Sequence, residues 1–136
     1  IMAYFPKSKS NKWQTPPDIY DLLNQEFKFN YDPCPIDWKA EDGCGLLKNW
    51  GSSTFCNPPY SDVKAWIKKA YDENQNGKLV VMLINAITDT IAFHKYIYNN
   101  PNVELRFIKG RLKFINPEYP EIKNPNVKPS MIVIFK

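Results

Sequence analysis

Apolar residues along this chain follow two spacings, one typical of helices and one typical of buried strands. Helical spacing, with apolar side chains three or four positions apart, occurs in three segments that begin near Thr15, near Ser61 or Asp62, and near Thr88. Short apolar runs predict five strands, at 29–31, 54–56, 78–84, 103–108 and 131–135. The run KLVVMLI at 78–84 is apolar on both faces, which is typical of a parallel strand covered on both sides.

The order of these segments predicts the fold class. Strands and helices alternate through most of the chain, which indicates an α/β domain with a mostly parallel sheet. The strand at 103–108 should continue at 111–115, and no helix separates it from the strand at 131–135, so this C-terminal strand should pair antiparallel. Residues 33–50 and 116–129 are irregular, and the second of these segments contains four prolines. A length of 136 residues suits one domain with one core.

Charge and composition exclude some classes of protein and leave others open. The net charge is +4 and the pI about 8.9, which permits nucleic-acid binding without requiring it. Residues 1–12 are basic and polar, and we expect them to form a loose arm. We find no signal peptide and no apolar stretch near the roughly 20 residues that a membrane span needs, so we expect no membrane association.

Cysteine and histidine usage argues against a metal site. Cys34, Cys44 and Cys56 form no Cys-x-x-Cys pair, and His94 is the only histidine. A zinc site and a Cys/His nucleophilic dyad are therefore not expected. An odd number of thiols is typical of a reducing compartment, so we expect the protein in a cytoplasm.

The motif Asn57-Pro58-Pro59-Tyr60 carries the clearest chemical signal. It follows the strand at 54–56 and precedes the second helix, in the kind of loop where open α/β sheets bind ligands. Asn57 offers a side-chain carbonyl oxygen, the two prolines remove backbone donors, and Tyr60 offers an aromatic face. Such a loop suits a planar, amide-like nitrogen held for attack on an electrophile. The alternative interpretation is a Pro-Pro turn capped by Asn, with the Tyr packed on a neighbour.

Three segments together resemble a known family. Gln14-Thr15-Pro16-Pro17 opens the first helix, Asp32-Pro33-Cys34-Pro35 ends the first strand, and the Asn57 motif ends the second. In order and type they resemble the S-adenosylmethionine-dependent N6-adenine DNA methyltransferases, and most closely the small phage-type enzymes. The same resemblance extends to Trp13, to Gly45-Leu46 with Trp50, and to Lys109–Phe114, so that it covers about residues 11–136.

The resemblance implies a compact, Rossmann-like methyltransferase fold, with residues 13–136 as a single catalytic domain. It implies methyl transfer from S-adenosylmethionine to the N6 amino group of adenine in DNA. The implied catalytic residues are Asn57, Pro58, Pro59 and Tyr60. The implied cofactor-binding residues are Trp13, Thr15, Pro16, Asp32, Pro33 and Cys34. If the chain is encoded by a phage or prophage, its place of action would be the cytoplasm of the bacterial host.

The chemistry of the reaction agrees with these residue types. The exocyclic amine of adenine is a weak nucleophile because its lone pair is delocalised into the ring. Two acceptors for its hydrogens favour a more pyramidal, more nucleophilic nitrogen; by resemblance these are the Asn57 side-chain oxygen and the Pro58 carbonyl. Tyr60 would stack on a base flipped out of the duplex, where stacking returns about 1–3 kcal/mol. The chemistry needs the reacting atoms held close together and needs no metal.

We expect DNA contacts to come from loops and arms, because no separate recognition domain fits in this length. The candidate residues are Lys109, Arg111 and Lys113, together with the arm and the loop at 116–129. Each of these segments is also compatible with an ordinary solvated basic surface. The sequence leaves the oligomeric state open.

The chain departs from the family's pattern between Asp32 and Asn57. Only 25 positions separate them, whereas each βαβ unit needs about 30 residues. Strands are therefore expected to be missing here, including the one that usually supplies an acidic ribose ligand. Asp37, Glu41 and Asp42 are all possible replacements.

Three other functions remain open from the sequence. The substrate could be an RNA adenine or a glutamine amide in a protein, since both present similar planar nitrogens. The chain could also be a non-catalytic DNA-binding module derived from this fold, which the shortened cofactor region favours. The intact Asn57 argues against that last possibility.

Overall fold

A computed structural model describes residues 13–125 and 127–136 of the chain. The predicted arm at 1–12 lies outside the described residues, so its prediction is not addressed by the structure.

The core of the domain is a four-stranded mixed sheet. Its strands are β1 (Ser53–Cys56), β2 (Leu79–Asn85), β3 (Val103–Phe107) and β6 (Ser130–Phe135), and their spatial order is β1-β2-β6-β3. β1 pairs parallel with β2, while β6 pairs antiparallel with both β2 and β3. The apolar runs that predicted these strands are the buried centre of the sheet.

The sheet corrects one part of the predicted fold class. The α/β class and the antiparallel C-terminal strand are confirmed, but two of the three pairings are antiparallel, so a mostly parallel sheet is not. The cause is the position of β6, which lies between β2 and β3 and opposes both. β1, β2 and β3 nevertheless run in the same direction, so their carboxyl ends meet at one edge of the sheet.

Two helices cover opposite faces of the sheet. Helix α1 (Pro17–Phe27) packs Leu23 onto the face that carries Phe55 and Val81. Helix α2 (Val63–Gln75) packs the residues of the predicted helical stripe onto the other face, including Trp66, Ile67 and Ala70. The third predicted helix is a short π-helical turn, Phe93–Ile97, that contributes to the same core as α2.

The first predicted strand is reduced to a single pairing. Tyr31 forms an isolated parallel bridge with Thr54, and its carbonyl accepts the Phe55 N–H at 3.0 Å. This pairing brings the chain that follows Tyr31 to the same edge as the end of β1. Residues 33–52 then contain two 3₁₀ turns, Ala40–Asp42 and Gly45–Leu47, and no strand. The expectation of missing strands therefore agrees with the structure.

A small hairpin stands beside the main sheet. Its strands are β4 (Lys113–Asn116) and β5 (Tyr119–Pro125), where the sequence predicted a continuation of β3 and then a loop. The strand expected at 111–115 is present as β4, but it pairs with β5 and does not extend β3, and the loop predicted at 116–129 contains a strand instead. Pro120 and Pro125 argued against a strand, but an edge strand tolerates proline because it pairs on one side only. The turn is closed by the Asn116 side chain, which accepts the Glu118 N–H at 2.9 Å.

An ion-paired carboxylate holds α2 to the chain before β1. Glu73 is 4% exposed, and it accepts hydrogen bonds from Lys69 at 2.6 Å, from Lys78 at 3.1 Å and from the Trp50 N–H at 3.3 Å. Burial alone would raise the Glu73 pKa, but these hydrogen bonds outweigh it, and the pKa is lowered. Glu73 is therefore charged and fully paired at neutral pH.

Candidate active site

The three motifs singled out in the sequence meet at one pocket. The pocket has a volume of about 610 Å³ and lies at the edge where β1 ends. Its lining contains residues from the start of α1, from the segment after Tyr31 and from the loop after β1. Of the predicted site residues, the lining includes Trp13, Thr15, Asp32, Pro33, Cys34, Asn57 and Pro59. A volume of this size is typical of small-molecule and cofactor sites.

Three of the predicted catalytic and cofactor-binding residues do not line this pocket. Pro16 is the residue before α1, and Pro58 is buried beneath the loop. Tyr60 begins a 3₁₀ turn (Tyr60–Asp62) and is 42% exposed, outside the pocket lining. Partial burial raises the Tyr60 pKa, so the hydroxyl keeps its proton at neutral pH. The exposed ring is available to a partner that approaches from solvent.

Asn57 makes a specific contact across the pocket wall. Its Nδ2 donates a hydrogen bond to the Thr15 hydroxyl at 3.0 Å, although the two residues are 42 positions apart in the chain. A threonine at a helix start commonly caps the helix, but α1 has no side-chain cap and its N-cap is Pro16. The Thr15 hydroxyl is therefore engaged with the Asn57 motif and not with the helix.

The carboxylate of Asp32 has few protein groups around it that stabilise its negative charge. One of its oxygens accepts the Cys34 N–H at 2.8 Å, as in an Asx turn. Burial raises the Asp32 pKa to about 6; the Cys34 hydrogen bond partly opposes this and the nearby Asp37 adds to it. The carboxylate thus lines the pocket without a cationic partner among the residues that the structure describes.

The proposed replacements for the missing ribose ligand do not reach the pocket. Asp37, Glu41 and Asp42 are exposed, and none of them lines it. Asp42 instead accepts the Lys39 N–H at 2.9 Å within the first 3₁₀ turn.

Two of the cysteines are neighbours below the pocket. Their Sγ atoms, in Cys34 and Cys56, are 3.8 Å apart and share a thiol hydrogen bond. Burial raises the pKa of the Cys56 thiol well above its usual value, and Cys34 reinforces the shift. The buried thiol is therefore protonated and packs as a small apolar group, as expected.

Several lining residues were not predicted to belong to a site. They are Gln14, Pro17, Tyr20, Asp21, Pro35, Ile36, Trp38, Cys44, Gly45, Phe55 and Trp66. Most are apolar or aromatic, and at helical or strand spacing such residues are indistinguishable from core. Gly45 has a packing signal visible only in three dimensions, because a Cβ there would collide with the Pro33 carbonyl and lie 3.0 Å from Trp66.

The basic candidates lie on the surface after β3. Lys109, Arg111 and Lys113 are all exposed, and Arg111 donates to the Val127 carbonyl at 3.4 Å. Because β3 runs in the same direction as β1, the chain leaves β3 at the edge that holds the pocket. The segment and the pocket therefore share one side of the molecule.

Residues 13–125 and 127–136 contain neither a metal-binding cluster nor a membrane-spanning helix. No group of three or more His, Cys, Asp or Glu side chains is placed to hold a metal ion. No helix is long and apolar enough to cross a membrane. His94 is an exposed residue whose ring nitrogen contacts the Thr88 carbonyl at 2.8 Å, as expected for a structural histidine.

The structure thus has an α/β fold with a strand-end pocket that is lined by residues of both motifs on which the resemblance rests, the Asn57 loop and the Asp32 turn. The comparisons with known proteins give the family. Residues 3–136 match the model of the DNA N-6-adenine-methyltransferase (Dam) family, and the chain belongs to that family.

Two curated relatives carry the same description. The DNA N-6-adenine-methyltransferase of Haemophilus phage HP1 (strain HP1c1) is 29% identical over 141 residues, which cover 96% of this chain and 81% of the phage protein. The DNA N-6-adenine-methyltransferase of Escherichia phage T1 is 26% identical over 157 residues, covering 96% of this chain and 65% of that protein. No solved structure matches the chain. The predicted resemblance is confirmed, and the reaction class is methylation of adenine N6 in DNA.

Proposed function

We propose that residues 13–136 form a single catalytic domain that transfers a methyl group from S-adenosylmethionine to adenine N6 in DNA. The observation that carries the proposal is the convergence of Asp32 and Asn57 on one pocket of about 610 Å³. In this assignment, Asp32 binds the cofactor and Asn57 binds the target amine. The place of action would be the cytoplasm of a bacterial host.

The donor set of the pocket fits this cofactor. S-adenosylmethionine supplies an electrophilic methyl group on a sulfonium, so the protein needs to position the reactants and not to form a covalent bond. Asp32 offers an unpaired carboxylate to an amino group or a ribose hydroxyl. The Trp13 indole N–H is buried and has no acceptor among the described residues, while its ring lines the pocket. Tyr20, Trp38 and Phe55 give the pocket aromatic walls for a purine.

The other implied cofactor residues have supporting roles. Pro33 and Cys34 shape the turn that holds Asp32, and the Cys34 N–H fixes one carboxylate oxygen. Pro16 is the N-cap residue of α1, and it contributes by placing Thr15 and Trp13.

The loop after β1 would activate the target nitrogen. The Asn57 Oδ1 and the Pro58 carbonyl accept the two amine hydrogens, which makes the nitrogen more pyramidal and more nucleophilic. Pro58 and Pro59 carry no N–H, so the loop offers carbonyl oxygens without competing donors. The exposed Tyr60 ring stacks on the flipped base and offsets part of the cost of unstacking it.

The basic segment would bind the DNA backbone. Exposed cations at the edge that holds the pocket can neutralise phosphates on either side of a flipped adenine. Replacing Lys109 and Lys113 by Gln should lower the slope of log affinity against log salt by about two, one for each lost phosphate contact. Lys68→Gln removes an exposed charge from helix α2 and is the control. An unchanged slope in the double variant would exclude this surface.

Methyl transfer to unmethylated DNA tests the whole assignment. The assay uses radiolabelled S-adenosylmethionine, resolves the product nucleosides, and includes Asn57→Ala as the matched inactive variant. Label in N6-methyladenine that is lost in Asn57→Ala, with an unchanged melting temperature, supports both reaction and residue. Cofactor binding without label on DNA would shift the substrate to RNA adenine or a protein amide. Absence of both would favour a non-catalytic DNA-binding module.

A further inference from the structure

The Asn57 carboxamide is held by a single side chain. Among residues 13–125 and 127–136, its one hydrogen bond is the 3.0 Å contact from Nδ2 to the Thr15 Oγ1. The Nδ2 atom can only donate, so the Thr15 hydroxyl accepts. Oδ1 is then the carboxamide atom left to the ligand in the pocket that Asn57 lines.

Thr15 itself is fixed from both sides. On its N-terminal side, Gln14 and Ile115 exchange backbone hydrogen bonds at 2.7 and 3.3 Å, which ties the segment to β4. On its C-terminal side, the Pro16 carbonyl accepts the Tyr20 N–H at 3.1 Å and begins α1. Thr15 is 8% exposed, so its hydroxyl is a buried acceptor at a set position.

An asparagine carboxamide needs such a partner if it is to present one particular end. Its oxygen and its amino group are nearly the same size, so packing alone distinguishes the two orientations poorly. In the wrong orientation, an N–H of Asn57 would face the N–H groups of the target amine. In the observed arrangement Nδ2 donates to the Thr15 hydroxyl, and this bond holds the carboxamide in the orientation that leaves Oδ1 to the ligand.

We propose that Thr15 is a positioning residue, whose hydroxyl orients the Asn57 carboxamide so that Oδ1 faces the target amine. This inference rests on the proposed function, and it assigns Thr15 a role different from the cofactor contact that the family resemblance implies. Thr15 acts through Asn57, so its loss should change the rate of transfer and not the binding of the cofactor.

The test compares Thr15→Val, which keeps the shape and removes the hydroxyl, with Thr15→Ser, which keeps the hydroxyl. We expect kcat to fall about tenfold in Thr15→Val, which corresponds to one lost hydrogen bond. The dissociation constants of Thr15→Val for S-adenosylmethionine and for DNA should change less than about twofold. Thr15→Ser should keep both the binding constants and the kcat of the wild type. Thr15→Ala is a second hydroxyl-free variant in case the valine does not fold.

A readout independent of activity follows the carboxamide directly. In ¹⁵N-labelled protein, the Asn57 side-chain amide is identified by its absence in Asn57→Ala, and its hydrogen exchange should be faster in Thr15→Val than in the wild type. A wild-type kcat in Thr15→Val, or weaker cofactor binding with unchanged kcat, would overturn the proposal. If the wild type shows no methyl transfer, the proposed function fails, while unchanged amide exchange in Thr15→Val would separately refute the orienting contact.

Discussion

Two carboxylates of this domain, Asp32 and Glu73, are withdrawn from solvent in different ways. Glu73 accepts hydrogen bonds from two lysines and a backbone N–H, and its pKa is lowered. Asp32 accepts one backbone N–H, and burial raises its pKa to about 6. A paired carboxylate stabilises the fold, whereas an unpaired one at a pocket costs stability and is available to a ligand. Under the proposed function, Glu73 is a structural acid and Asp32 a binding acid, and their different partners distinguish them.

The largest effect should come from removing the charge of Asp32. Asp32→Asn keeps the acceptor for the Cys34 N–H, but it cannot pair with a cationic group of the cofactor. We expect the dissociation constant for S-adenosylmethionine to rise about 100-fold by calorimetry, since losing one partner of a desolvated charge pair costs at least 2 kcal/mol. A dissociation constant of Asp32→Asn within a few-fold of the wild-type value would show that Asp32 does not bind the cofactor.

The same variant should be more stable than the wild type at pH 7. A carboxyl whose folded pKa is raised above its unfolded value costs stability as the pH rises from about 4 to above 6, because the folded state holds the proton more tightly. The difference is at most about 3 kcal/mol. A lower melting temperature at pH 7 would contradict the account of Asp32 as an uncompensated charge.

Glu73→Gln should lower the stability of the protein, in contrast to Asp32→Asn. It leaves Lys69 and Lys78 without their buried partner, so the free energy of unfolding should fall by about 2 kcal/mol in chemical denaturation. Because the Glu73 pKa is lowered, this contribution is present above the unfolded pKa and is lost as the pH falls through the folded pKa. Cofactor affinity should not change, and a large change would mean that the two carboxylates are not separable.

Cofactor affinity should also depend on pH through Asp32 alone. Above pH 6 the carboxylate is ionised; below it, protonation competes with binding, and the dissociation constant should rise about fivefold between pH 6 and pH 5. The measurement is calorimetry at several pH values. The slope should be absent in Asp32→Asn, and its survival there would assign the pH dependence to another group.

The smallest effect is expected on the exposed face of helix α2. Lys68 pairs with Asp72 four positions on, at 2.7 Å, but both side chains are about half exposed, so Lys68→Met should leave the melting temperature unchanged within error. Lys69→Met removes a partner of the buried Glu73, so this variant should lower the melting temperature by several degrees. Equal shifts would show that burial does not distinguish the two pairs.

The sequence predicted the strands of the main sheet because their signal is local. The runs 79–84 and 131–135 are apolar on every residue, and they are mostly buried on both faces. The hairpin of β4 and β5 has no such signal: its prolines argue for a loop, and only its position at an edge makes a strand possible. Its turn did carry a local signal, since Asn116-Pro117 is a turn-forming pair.

The sequence predicted the part of the candidate site that the two strand-end motifs supply. Asp32 and Asn57 each follow a segment that pairs in the sheet, and parallel pairing brings their loops together. The Thr15 contact was not predictable, because a threonine before two prolines is equally suited to capping a helix. Tyr20, Trp38 and Trp66 were missed because an aromatic side chain that lines a pocket has the same sequence signature as one in the core.

The place of β6 in the sheet has a consequence for synthesis of the chain. Among the described strands, Ser130–Phe135 is the last to be synthesised, yet it lies between β2 and β3 and provides the only sheet neighbour that β3 has among them. Until it emerges from the ribosome, β2 and β3 each present an open hydrogen-bonding edge beside apolar side chains, which is the kind of surface that recruits other strands. The nascent domain is therefore expected to depend on chaperones, and to tolerate premature termination before residue 130 poorly.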